Sequence, residues 1–186
     1  MTFGNGSWKE GRTGAASLCY VGLATTTLEW VAAHHARVGI RATVVARGDE
    51  PLLATLADRN WDLALGSDAS VEDALAALDQ RRVRGVVLTA VMPTTAPYAV
   101  TSRPGSVAQP LHGAATDLPS HKADADADAA QMEIDAVATA GAWAVWRIDD
   151  TILAGWGVDG HRRLLGWLGS QHGRIWCAPV RDIAAW

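Results

Sequence analysis

Arg147, Asp149 and Asp150 stand almost side by side at the end of the apolar, tryptophan-containing run Trp143-Ala144-Val145-Trp146. Partial desolvation beside such a run would raise a carboxyl pKa toward working pH, so Asp149 is the first candidate for proton transfer. Asp68 follows a second apolar run, Trp61-Asp62-Leu63-Ala64-Leu65, and is the second candidate. Arg147, and Arg103 in a loop, bring guanidinium groups suited to an anion or to a developing carbonyl charge. Tyr20, Gly22, Trp146 and Asp150 complete the ligand-binding set, because an aromatic face such as that of Trp146 or Trp156 can stack on a sugar ring or an apolar polycycle. Each has a plainer competing reading: a solvated carboxylate beside Arg147, a solvated loop arginine, tryptophans that only pack.

Other patterns carry less. The alternating Asp124, Asp126 and Asp128 suggest a Ca²⁺ loop but lack the glycine and the bidentate glutamate that such a loop needs. They read better as the acidic start of a helix running through Gln131, Ile134, Val137 and Ala138 to Gly141. The six histidines form no ligand cluster in the sequence: His34 and His35 are adjacent on a helix and point in different directions, and the others are dispersed. Cys19 and Cys177 lie in expected strands and read as small hydrophobes in a reducing compartment. No metal or cofactor is expected.

The candidates need a scaffold that gathers strand ends. From Ala15 to Ala46 the chain reads strand, turn, helix, strand: Ala16–Val21 is apolar, Thr25-Thr26-Thr27 offers capping hydroxyls, and Leu28, Val31, Ala32 and His35 form one helical stripe closed by Gly39. Ile40–Val45 follows as a parallel strand. Further strands are expected at 61–65, 84–90, 143–148 and 174–179. Helices are expected at 50–58, after a Ser70–Asp73 capping pattern, and from Asp159 along His161, Leu164, Leu165 and Leu168. Residues 92–125, rich in Pro, Gly, Ser and Thr, show neither period.

The run Ser17-Leu18-Cys19-Tyr20-Val21-Gly22-Leu23, a helix, then Gly39-Ile40-Arg41-Ala42-Thr43-Val44-Val45 resembles the opening of the polysaccharide deacetylase (NodB-homology) domain. His161-Arg162-Arg163-Leu164-Leu165-Gly166-Trp167-Leu168 followed by Arg174-Ile175-Trp176-Cys177-Ala178-Pro179 is similar to its end. The resemblance implies one domain over residues 1–186, an α/β incomplete (β/α) barrel of the NodB-homology type with about seven parallel strands, and a functional face at the strand C-termini. On that likeness the family's catalytic base and metal-binding Asp fall on Val21 and Gly22. Its metal-ligand His pair falls on Gly66 and Ser70, and its late catalytic His near Arg147. The chain is thus expected to be a degenerate member without the metal site.

Composition sets outer bounds. With 186 residues, 49% hydrophobic and 19% charged, the chain can bury one full core. Sixteen Lys plus Arg against twenty Asp plus Glu give −4, so no basic field favours nucleic acid or an anionic membrane. The polar, Gly-rich start is no secretory signal and no apolar run is long enough to span a bilayer, so a cytoplasmic location is expected. The expected partner is a small-molecule ligand, with self-association left open. Gly22, Asp68, Arg103, Arg147 and Asp149 should share one pocket. There they would serve a metal-independent isomerase, cyclase or lyase step. The alternatives are a catalytically inactive ligand-binding or partner subunit, and a carbohydrate deacetylase with an unrecognised metal site.

Overall fold

A computed structural model describes residues 8–46, 51–66, 85–88, 99–101, 126–184 and 186. Its centre is β1 (Gly14–Val21), a continuous run of small and apolar side chains of the kind demanded by a parallel strand covered on both faces. Around it lie β2 (Thr43–Ala46), β3 (Asp62–Gly66), β4 (Gly85–Leu88), β5 (Ala99–Thr101), β6 (Trp143–Ile148) and β7 (Ile175–Cys177). The order is β5-β4-β3-β2-β1-β6, with every pairing parallel, and β7 pairs with the start of β1. The architecture is a parallel sheet flanked by helices, the α/β class expected of an incomplete barrel.

The helices are α1 (Thr25–Val38), α2 (Pro51–Asp58), α3 (Ala127–Thr139), α4 (Asp150–Ser170) and α5 (Val180–Ala184). The stripe Leu28, Val31, Ala32 and His35 of α1 is buried, and Gly39 ends the helix at φ 69°, a left-handed position where glycine carries no Cβ penalty. Asp126 caps α3 by accepting from the Ala129 amide at 2.8 Å. Backbones meet closely at Gly14, where an added Cβ would lie 2.4 Å from the Ala138 Cα of α3. Among the described residues, no helix is long and apolar enough to cross a membrane.

Three sequence expectations change. No threonine hydroxyl caps α1; its N-cap is Ala24, without a side-chain bond. The last long helix, α4, joins two helical segments across Gly157 at φ 64°: the second is the one expected from Asp159, and the first, from Asp150, was not expected. Residues 99–101 form an edge strand inside the stretch read as irregular, since three residues are too few to show a period. The helix expected after Ser70 lies outside the described residues.

Candidate ligand site at the C-terminal edge of the sheet

Because neighbouring residues of a strand point to opposite faces, the register fixes which candidates can meet. Cys19 pairs with Arg147 and with Thr43, and Thr43 pairs with Asp62, so these four side chains form one row across β6, β1, β2 and β3. Tyr20, Trp146 and Ile148 occupy the other face, beneath α1 and α4. Trp146 and Arg147 are consecutive and therefore cannot line the same pocket.

On the row that faces away from α1, α3 and α4, most polar groups are matched. Asp62 is fully buried; its Oδ2 accepts from the Thr43 hydroxyl at 3.1 Å and from the Arg181 amide at 3.2 Å. Thr43 Oγ1 also accepts from the Val180 amide at 2.9 Å, so the strand residues receive the start of α5. Lower down, Trp143 Nε1 donates to Ser17 Oγ, which donates to the Ala178 carbonyl. Burial pushes the Cys19 thiol up to about 12, opposed by the nearby positive charge of Arg147. Arg147 differs from its neighbours: its Nε is buried and has no hydrogen-bond partner among the described residues. A buried donor of that kind is costly unless an acceptor reaches it.

At the same edge β6 passes into α4. Asp149 is exposed and its Oδ1 accepts from the Ile152 amide at 2.9 Å, making it the N-cap of that helix. Asp150 Oδ2 accepts from the Ala24 amide at 3.1 Å and so ties the turn after β1 to the start of α4. Gly22 lies in that turn at φ 61°, its amide directed at the Val45 carbonyl at 3.5 Å. Gly22, Arg147, Asp149 and Asp150 thus gather at one sheet edge. Asp68 and Arg103 lie outside the described residues.

Two other expected binding residues are placed elsewhere. Tyr20 and Trp146 are fully buried on the helix face, where the Trp146 ring packs 6.4 Å from that of Trp156, itself 7% exposed; neither tryptophan offers an open face to a sugar. The histidines also depart from the dispersed reading. Tyr20 Oη lies 2.7 Å from both His35 Nε2 and His161 Nε2, and His34 Nδ1 lies 3.0 Å from His161 Nδ1. Burial pushes His35 and His161 down to about 3 and lowers His34, helped there by Arg162 and Arg37, so all three are held neutral. The Tyr20 phenol is pushed well up, chiefly by burial.

Sequence reasoning passed over Asp62, although a carboxylate inside an apolar strand is itself a signal of a buried polar contact. It also missed the histidine cluster, whose members come from α1 and α4.

The described residues do not fit the divalent metal that the family resemblance would imply. The positions that the resemblance matches to the family's Asp pair hold half-buried Val21 and Gly22, which offer no side-chain oxygen. Asp149 and Asp150 each spend an oxygen on a backbone amide, and among the described residues no group of three His, Cys, Asp or Glu side chains is arranged to hold a metal.

No family model matches the chain, and no curated protein matches it in sequence. Solved structures do match. A Mycobacterium smegmatis protein described as a polysaccharide deacetylase superposes with a TM-score of 0.62 at 12% identity, over 96% of this chain and 91% of that one. The catalytic domain of the peptidoglycan N-acetylglucosamine deacetylase of Eubacterium rectale gives 0.55 at 12% identity, over 94% and 92%. Peptidoglycan deacetylase PdaC of Bacillus subtilis gives 0.53 at 11%, over 92% and 90%. At such identities the likeness speaks for architecture, and it spans nearly the whole chain: this protein has the polysaccharide deacetylase (NodB-homology) fold.

Proposed function

We propose that the deacetylase scaffold here serves a small anionic molecule bound at the C-terminal edge of the sheet, with Arg147 as its anchor, and that divalent-metal deacetylation is not its chemistry. The observation that carries this reading is the buried Arg147 Nε, a charged donor without an acceptor among the described residues, on a sheet face whose other described polar side chains bond within the chain. A guanidinium presents a planar fork that matches a carboxylate or phosphate oxygen pair. Val21 and Gly22, where the family likeness puts carboxylates, support the loss of metal chemistry.

Binding is favoured over catalysis because Asp149 and Asp150 have structural work as a helix cap and a loop tie. A second reading keeps an isomerase, cyclase or lyase step, and the exposure of Asp149 at the ligand edge favours it: Oδ2 would move the proton while Oδ1 holds the cap.

The test is thermal shift of wild type and Arg147→Gln in a panel of mono- and dicarboxylates and sugar phosphates. At least one compound should raise the wild-type melting temperature and leave the variant unmoved. Acetate release from N-acetylglucosamine oligomers that depends on added Zn²⁺ or Co²⁺ would sink the proposal, as would equal stabilisation of both proteins by every compound.

A further inference from the structure

Between β1, α1 and α4 runs a polar chain that the ligand edge does not use. It links His34 Nδ1 to His161 Nδ1 at 3.0 Å, His161 Nε2 to Tyr20 Oη at 2.7 Å, Tyr20 Oη to His35 Nε2 at 2.7 Å, and His35 Nδ1 to the Ile40 carbonyl at 3.1 Å. Tyr20, His35 and His161 are fully buried and His34 is 6% exposed.

The last link sets the direction of all the others. A carbonyl only accepts, so His35 Nδ1 carries the hydrogen and its Nε2, in the neutral ring, is an acceptor. Tyr20 must then donate to His35 and accept from His161 Nε2–H. That leaves His161 Nδ1 as an acceptor, filled by His34 Nδ1–H. The ring centres of His34 and His161 are 5.3 Å apart, which places the two nitrogens nearly on the line between them, meeting head-on. Every link is satisfied with neutral rings, and with one tautomer for each.

Proton uptake acts unevenly on this arrangement. A first proton on His34 Nε2 keeps the chain but sets a cation beside Arg37 of α1 and Arg162 of α4, with Asp159 of α4 opposing them among the described residues. A second, on His161 Nδ1, puts two N–H groups head to head across the α1–α4 contact. The remaining neighbours give no relief. Trp30 and Trp61 are uncharged walls, and the groups acting on Tyr20 are the Cys19 and Cys177 thiols.

We propose that His34, His161, Tyr20 and His35 form a two-proton latch that holds α1 against α4 at neutral pH and releases it in acid. The device stands whether or not Arg147 binds an anion.

Two measurements test it. Imidazole ¹⁵N shifts at pH 8 should show hydrogen on Nδ1 of His34 and His35 and on Nε2 of His161; hydrogen on His161 Nδ1 would overturn the wiring. Hydrogen exchange, expressed as protection factors, should fall at least tenfold across α1 and α4 between pH 8 and pH 5, with both helices opening at lower free energy than β1 and β6 at each pH. In His34→Gln, which cannot take the first proton, the same loss should need a pH lower by about a unit. Equal protection of helices and strands at pH 5, or an unchanged midpoint in the variant, would sink the proposal. If that variant does not fold, the tautomers and the helix-versus-strand comparison in wild type still decide.

Discussion

The Trp143 indole N–H donates to the Ser17 hydroxyl at 3.1 Å, and Ser17 passes the bond on to the Ala178 carbonyl at 2.8 Å. One buried hydroxyl thus joins β6, β1 and the segment after β7. Ser17→Ala would leave an indole donor and a carbonyl acceptor without it, so stability should fall by about 1–3 kcal/mol. Urea unfolding followed by tryptophan fluorescence measures this, and an unchanged midpoint would mean that water replaces the hydroxyl.

Asp149 offers a way to separate a cap from a catalyst. Asn caps helices about as well as Asp, whereas Ala does not, so Asp149→Asn should melt within a degree or two of wild type while Asp149→Ala loses about 1 kcal/mol. If Asp149 moves a proton, both variants lose turnover of the eventual substrate by roughly a hundredfold or more. If it only caps, ligand response follows stability.

The histidines set an acid limit on the fold. His35 and His161 titrate near 3 when folded and near 6.5 when unfolded, so between those values the unfolded chain binds more protons. Their contribution is complete above about pH 6.5 and is lost as pH falls toward 3. By pH 5 each should have cost ~2 kcal/mol. Thermal melts at pH 7.5, 6 and 5 should show a steady fall that His35→Gln/His161→Gln flattens, and a constant melting temperature down to pH 5 would contradict the assignment.

Gly14→Ala tests the contact between β1 and α3. Its Cβ would meet the Ala138 backbone at 2.4 Å, which no side-chain rotation relieves, so a loss of about 3 kcal/mol is expected, the upper end of overpacking costs. Calorimetry of the purified variant would show it. A neutral effect would mean that α3 shifts freely over the sheet.

The βαβ opening was readable because its boundaries are local: the stripe from Leu28 to His35, Gly39 at the C-cap, and Asp126 ahead of α3 all act within a turn or two of chain. The strand faces were not readable. β1 is buried on both sides, so its apolar run shows no alternation, and nothing local tells whether Tyr20 or Cys19 faces the helices. The same limit placed Trp146 beside Arg147 as if the two could share a pocket. The meeting of His34 and His35 with His161 depends on how α1 packs against α4, a relation between segments far apart in sequence. At the ligand edge Arg147 was recognised by type, but the capping role of Asp149 needed the helical segment that precedes the Gly157 kink, which the sequence pattern had not shown.

β1 is hydrogen-bonded to β2 on one side and to β6 on the other, and β7 pairs with its first residues. Its C-terminal partners emerge from the ribosome long after it does. Until they arrive the strand has an open apolar edge, the kind of surface on which nascent chains associate wrongly. Closing so long a loop is slow, and a chaperone that shields residues 14–21 during synthesis should raise the yield of native protein more than one acting on the finished chain.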